Sequence, residues 1–392
     1  MIKDAESDSW MADLTLRGIR RLEEKTIGRL RSLVEIESPS DDKAAVDRCG
    51  EAVAAMASEL GGKARRHRQR EAGDVLEVRF RPLQRVRGSA PVMLLGHLDT
   101  VWPLGTLKTM PFRVEEGRVW GPGTLDMKAG VAMALTALEW LRETEALDRP
   151  VILALSGDEE VGSGASRATI EKLARECESV YVLEPAQGLE GAYKTARKGV
   201  GDYRLRVRGV AAHAGIDFER GHSAIGELAY QMEKVRGFTE LERGLTVNPG
   251  VIRGGTRMNV VAAEAEAEID VRIVHARDAA RVEKRFRALR VRDKGCVLEI
   301  EGGMNRPPME RNRAGVALFR RAEALARQLG FKLAEAATGG GSDGNFTAAL
   351  GVPTLDGMGG VGEGAHASHE SVLLRQLAPR TALLAGMIRK AD

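Results

Sequence analysis

Val92-Met93-Leu94-Leu95-Gly96-His97-Leu98-Asp99-Thr100 is a short apolar run that stops on a histidine and an aspartate. Set between Pro91 and Gly96, it reads as a buried strand. Side chains alternate along a strand, so His97 and Asp99 point the same way. One of the two is suited to bind a metal ion while the other steadies it. A core histidine beside a capping aspartate is the plainer alternative, and the rest of the chain decides between them.

Working outward, Leu16, Ile19, Leu22, Ile27, Leu30 and Val34 recur at mostly helical spacing and predict an amphipathic helix over 14–35. A second helix is expected over 42–60, with Gly61-Gly62 as its stop. Arg65, Arg66, Arg68, Arg70, Arg79, Arg81, Arg85 and Arg87 surround a strand at 75–80; the interspersed Glu71, Asp74 and Glu77 mark this basic stretch as solvated surface. Beyond the opening strand come a helix over 129–142, the apolar strand 151–155, a helix over 165–176, and Val180-Tyr181-Val182-Leu183 leading into Glu184-Pro185. Strand, helix, strand predicts an α/β fold whose mainly parallel sheet is flanked by helices. Such sheets collect ligands at the carboxyl ends of their strands, where these polar endings fall.

The texture changes over 199–308. Strands at 203–207, 245–252, 264–274 and 297–300 and helices at 223–236 and 278–289 follow the order β, α, β, β, α, β of a small split sandwich. A helix over 314–329 returns to the earlier style, so the sandwich is inserted: 1–198 and 309–392 form one domain and 199–308 the other. A length of 392 residues suits two cores.

Composition narrows the function classes. Lys plus Arg number 59 against 56 Asp plus Glu, and a net charge of +3 gives no reason to expect nucleic acid. Cys49, Cys177 and Cys296 lie too far apart for a cysteine zinc site or a disulfide framework, which points to a reducing compartment. Met1–Trp10 has no apolar core of a signal peptide, and no segment offers the roughly 18 uncharged residues of a membrane helix. A soluble cytoplasmic protein, with neither membrane nor nucleic-acid partner, is the expectation.

The chemistry concentrates in His97-x-Asp99, Gly121-Pro122-Gly123-Thr124-Leu125-Asp126-Met127-Lys128, Asp158-Glu159-Glu160, Glu184, and Gly362-Glu363-Gly364-Ala365-His366-Ala367-Ser368-His369-Glu370. Carboxylates and imidazoles without thiolates suit zinc, manganese or cobalt. Two histidines and three carboxylates can hold two such ions with one carboxylate shared. Glu159 and Glu160 can then divide the work between ligand and general base. The alternative is that Asp158-Glu159-Glu160 merely caps the following helix.

In combination, Gly96-His97-Leu98-Asp99-Thr100-Val101, the Gly-Pro-Gly-x-x-Asp-Met-Lys segment, Asp158-Glu159-Glu160-x-Gly162-Ser163, Glu184-Pro185 and Gly364-Ala365-His366 resemble the di-zinc aminoacylase and carboxypeptidase family, especially the folate-hydrolysing glutamate carboxypeptidases. The likeness spans nearly the whole chain and implies a zinc-peptidase type catalytic domain with an inserted dimerisation domain. It further implies two zinc ions, one on His97 and Glu184, the other on Glu160 and His366, with Asp126 bridging. Asp99 would orient His97, Glu159 would be the general base and acid, and the Asp126–Met127 peptide would be cis. His213, in Val210-Ala211-Ala212-His213-Ala214-Gly215, would stabilise the oxyanion in the partner subunit of a homodimer. Asn259 and Arg272 would hold a substrate carboxylate, although Arg272 also suits an ordinary exposed strand position. Gly341, in Gly339-Gly340-Gly341-Ser342-Asp343, would lie beside the substrate. The implied activity is release of a C-terminal amino acid, glutamate favoured, from a small peptide or N-acyl substrate, with N-acyl-amino-acid deacylation or dipeptide cleavage as the alternative.

Two departures from the family pattern stand out: the aspartate segment continues Lys128-Ala129-Gly130 where a second glycine is commoner, and Ala262 stands where relatives often carry proline. His369 competes with His366, whose spacing to Gly364 and Glu370 fits better. The glycine loop also admits a serine hydrolase built from Ser342, Asp356 and His366, and a dinucleotide fingerprint at Gly339, Gly341 and Gly344. The serine hydrolase would leave His97, Asp126, Glu159, Glu160 and Glu184 without a task, the fingerprint lies late in the chain without a clear acid about twenty positions on, and a non-catalytic binding module would be free to lose Glu159 first.

Overall fold

Three strands carry the centre of the fold because their side chains are apolar on both faces. In the computed structural model, which describes residues 16–82 and 89–389, β3 (Val92–His97), β4 (Val151–Ser156) and β5 (Ser179–Val182) are wholly buried. Met1–Trp10, the expected helix start at Leu14, the side chains of Leu16 and Ile19, and Arg85 and Arg87 lie outside the described residues.

The chain reaches these strands through helices α1 (Leu16–Val34) and α2 (Lys43–Glu59) and strands β1 (Lys63–His67) and β2 (Val75–Phe80). Helix α3 (Ala129–Glu143) links β3 to β4, and α4 (Arg167–Ala174) links β4 to β5. There follow β6 (Gly199–Arg208), α5 (Ala224–Arg236), β7 (Thr246–Gly254), β8 (Glu264–Ile273), α6 (Arg277–Arg287) and β9 (Val297–Arg306). The chain ends through α7 (Arg313–Gln328), the short α8 (Gly344–Ala349), β10 (Thr354–Leu355) and α9 (Leu374–Ile388).

By internal packing the chain divides into two units, Arg197–Glu310 with Gly339–Gly341 forming the second and the remainder the first. The first holds a six-stranded sheet in the order β1-β2-β4-β3-β5-β10. Strands β4, β3, β5 and β10 run parallel, and β2 is antiparallel to both its neighbours. Alternation sorts the side chains. Val92, Leu94, Leu153, Leu155 and Tyr181 join the core formed with α1, α2, α3, α7 and α9, whereas Met93, Leu95, Ile152, Ala154, Val180 and Val182 pack on the other face with Ile170 and Leu173 of α4. Burying each such leucine or valine contributes about 1.5–3 kcal/mol relative to exposure. Gly130 marks the tightest approach of α3 to the sheet: a Cβ there would sit 2.1 Å from the Leu183 carbonyl oxygen.

The second unit is the β, α, β, β, α, β arrangement, an antiparallel sheet ordered β7-β8-β6-β9. The alternating alanines and glutamates of β8 separate cleanly. Ala265 and Ala267 enter a core with Leu205, Val207, Leu228, Val282 and Phe286, and Glu266 and Glu268 on the opposite face pair with Arg206 and Arg204.

Several elements differ from expectation: short strands such as Arg113–Glu115, Arg118–Trp120 and Tyr193–Arg197 were not foreseen, and β6 and β9 run longer than 203–207 and 297–300. Arg65 and Arg66 belong to β1, an exposed strand at the sheet edge whose lack of apolar alternation hid it. Helix α4 starts at Arg167 because Asp158 reaches forward to accept from the backbone N–H of Ala165 and Ser166. Among the described residues no helix is long and apolar enough to cross a membrane.

Candidate metal centre

Register brings the polar strand endings level. His97 pairs with Ser156 across β3 and β4, and Leu95 pairs with Val182 across β3 and β5, so Glu184 comes beside His97 and Glu159-Glu160 just beyond it. Gly96 makes room for Met127, whose Cε would lie 2.7 Å from a Cβ at that position. The Met127 sulfur in turn accepts from the His97 backbone N–H at 3.3 Å. Met127 follows Asp126 through a cis peptide.

Asp126 lies between two imidazoles. Its Oδ1 is 3.2 Å from His97 Nε2 and its Oδ2 is 3.5 Å from His366 Nε2. On the outer sides, Glu184 is 3.6 Å from His97 Nε2, and Glu160 is 3.1 Å from His366 Nε2. Ligand-type atoms of His97, Asp126 and Glu160 lie within 4.8 Å of one another, as do those of His97, Glu159 and Glu184.

Asp99 lies just beyond the end of β3. The Nδ1 of His97 donates to the Asp99 main-chain oxygen at 2.9 Å, with the carboxylate farther off at 3.5 Å. The Asp99 carboxylate accepts from the Ser40 hydroxyl and from the backbone N–H groups of Glu159 and Glu160. It therefore anchors the acidic turn as well as the histidine.

The electrostatics show what this group of side chains demands. Burial opposes charging His97, but the carboxylates of Asp126, Asp99 and Glu184 outweigh it and hold its pKa well above the usual value. Asp126 and Glu160 push His366 up to about 10. Burial disfavours the Asp126 anion, and the two imidazoles more than compensate, so its pKa is lowered; Glu160 is raised, chiefly by burial. Carboxylates that hold two imidazoles protonated call for positive charge, which divalent cations supply without protons. Nitrogen and oxygen donors without sulfur, converging at this spacing, fit zinc, manganese or cobalt.

The remaining site residues of the sequence reading lie in the second unit. His213 is exposed, its Nδ1 accepts from the Gly215 N–H at 3.1 Å, and its backbone bridges to Val260. Asn259 is exposed beside it and accepts from the Ala214 N–H. Arg272 is half-buried at the far end of β8. Its Nε and Nη2 are engaged by Asp270, and Nη1 is 3.4 Å from the Gly339 carbonyl oxygen. Asn259 precedes the start of β8, whereas Arg272 lies next to its end. The ten-residue strand β8 separates them, a span of roughly 30 Å at about 3.3 Å per residue. Gly341 lies against Arg306, and Arg197 donates to the carbonyls of Gly340 and Gly341.

Sequence reasoning gave no role to two contributors. Asp343 accepts from Ser156 and Ser163, on either side of the acidic turn. Glu370 was noticed only for its spacing to His366. A buried acid within a motif is the signal that would have found both. The serine hydrolase alternative fails on contact: the Ser342 hydroxyl is buried and donates to Asp356 at 2.7 Å, whereas His366 faces Asp126 and Glu160.

Comparison with known proteins agrees with this geometry. The model of the family described as Peptidase family M20/M25/M40 matches residues 93–390. Carboxypeptidase G2 of Pseudomonas sp. (strain RS-16) is 28% identical over 366 residues, covering 92% of this chain and 88% of that protein. Among solved structures, aminopeptidase PepT of Bacillus cereus gives a TM-score of 0.74 at 22% identity, over 93% of this chain and 98% of that one. An M20 family metallo-carboxypeptidase of Sulfolobus solfataricus gives 0.74 at 17% identity, over 93% and 98%. The last two are likenesses of fold.

Proposed function

The chain belongs to peptidase family M20/M25/M40, and from that premise we propose that this metallopeptidase is a two-metal carboxypeptidase that releases a C-terminal amino acid, glutamate above all, from a small peptidyl or N-acyl substrate. The observation that carries the proposal is the position of Asp126 between His97 and His366, with Glu184 and Glu160 on the outer sides. In this reading His97 and Glu184 hold one ion, Glu160 and His366 the other, and Asp126 both. Zinc is the resident metal, with cobalt or manganese able to replace it. Divalent ions held by these residues would supply the chemistry of lowering the pKa of a bound water and polarising the scissile carbonyl.

Glu159 takes the proton of the attacking water and returns it to the leaving amine. The Asp99 carboxylate, by accepting from the Glu159 and Glu160 N–H groups, keeps that turn aimed. Arg272, fixed on one edge by Asp270, receives the substrate carboxylate on the rest of its guanidinium, beside Gly341. Asn259 travels with His213, so both serve the partner's substrate in a homodimer, His213 donating to the oxyanion. Exposed Ile216, Phe218 and Met258 near His213 supply an apolar surface suited to a second copy. A cytoplasmic setting accords with the free thiols of all three cysteines.

A panel of peptidyl and N-acyl amino acids tests the substrate. With added zinc or cobalt, glutamate-terminated substrates should turn over fastest, and chelation should abolish hydrolysis until metal is restored. Preference for free dipeptides or for short acyl groups would transfer the assignment to a dipeptidase or deacylase. Hydrolysis that survives chelation would sink the metal reading.

A further inference from the structure

Glu370, four residues beyond His366, is completely buried. Its Oε1 accepts from the backbone N–H groups of Leu125 and Asp126 at 2.8 and 3.0 Å. Its Oε2 accepts from the Gly123 N–H at 2.9 Å and the Trp102 indole N–H at 2.8 Å. All four partners can only donate. Each carboxylate oxygen thus takes two donated hydrogen bonds. Trp102 lies on the loop that leaves Asp99, and Gly123, Leu125 and Asp126 form the segment that carries the shared aspartate. The Glu370 backbone in turn closes the His366 turn, its N–H donating to Ala367 at 2.9 Å. One side chain thus ties together three segments that are far apart in sequence.

We propose that Glu370 is a positioning residue of the metal centre: by gripping the backbone on both sides of Asp126 it sets the direction of that carboxylate and keeps it in step with His366. The inference rests on reading Asp126 as the shared ligand. Burial pushes the Glu370 carboxyl up, and the four donated hydrogen bonds that satisfy both oxygens work against that push. Glu370→Gln turns one acceptor into an NH2 group that faces two donors. Glu370→Asp keeps the charge but withdraws it by one methylene, so it should be the milder change.

Amide hydrogen exchange of the metal-free protein, paired with cobalt(II) titration, tests this on wild type and both variants. Exchange within 120–128 should accelerate by about tenfold or more in Glu370→Gln and by less in Glu370→Asp, while peptides from Arg197–Glu310 keep their rates. Cobalt affinity should fall about 10- to 100-fold with an altered visible spectrum, and kcat should drop with KM little changed. Wild-type exchange at 120–128 in both variants, acceleration spread evenly over the chain, or an unchanged cobalt spectrum and affinity overturns the proposal. If Glu370→Gln does not fold, Glu370→Asp decides by the same readings. A wild-type protein that takes up no cobalt defeats the metal reading instead, and the exchange data still decide whether Glu370 holds the 123–126 backbone.

Discussion

Asp99 shows how far a single residue can be read. Its place beside His97 was legible because both close an apolar strand, which suits one to bind a metal and the other to steady it; that Asp99 is the one that steadies came from the family resemblance. The division of labour was not legible, because the turn after His97 presents the main-chain oxygen to Nδ1 and frees the carboxylate for Glu159 and Glu160. Asp99→Ala should therefore weaken zinc binding about 10- to 100-fold without abolishing it, measured by calorimetric titration. Complete loss of metal would mean that Asp99 is itself a ligand. Glu159 offers a sharper test, since its carboxylate shares a neighbourhood with His97 and Glu184. Glu159→Gln should keep its full metal content while kcat falls about 10²- to 10⁴-fold. A variant that binds one ion fewer would move Glu159 from base to ligand.

At the level of elements, periodicity located most strands and helices, since burial on one or both faces leaves a repeat in the sequence. It failed at β1, whose residues are mostly exposed and whose place comes from pairing with β2. The same edge carries a buried anion. Asp74 accepts from Lys43 at the start of α2 and from the Gln69 N–H, and its own N–H donates to Asp47. Burial works against this carboxylate, but Lys43 and Gln69 outweigh it and lower its pKa below 3.8. A folded pKa below the unfolded one adds stability above the unfolded value, and that stability is lost as pH falls through the folded one. Asp74→Asn should then cost about 1–3 kcal/mol at neutral pH in a denaturant titration, with the gap to wild type closing below about pH 3.8. A gap that persists into acid would point to lost packing instead of lost charge.

For the whole molecule, the separation of Asn259 from Arg272 along β8 has the largest consequence. If one substrate carboxylate meets both, they come from different chains, and His213 goes with Asn259. Dimers assembled from Glu159→Gln and His213→Ala chains should regain part of the activity that each variant lacks alone. Mixtures as inactive as the parents would place His213 on its own chain's substrate.

What the sequence determined by itself was the local vocabulary: apolar runs at strand and helix periods, strand ends closing on His97, Glu159, Glu160 and Glu184, and the change of texture at residue 199. These follow from burial and backbone geometry over a few neighbouring residues. Only the tertiary structure decided which polar groups meet beyond those the resemblance implied: the Asp99 carboxylate on the N–H groups of Glu159 and Glu160, Asp270 on the Arg272 guanidinium, and Glu370 on the N–H groups of Gly123, Leu125 and Asp126. The physical reason is that hydrogen bonds between segments some 245 residues apart depend on strand register and loop closure, and neither leaves a periodic trace in the chain.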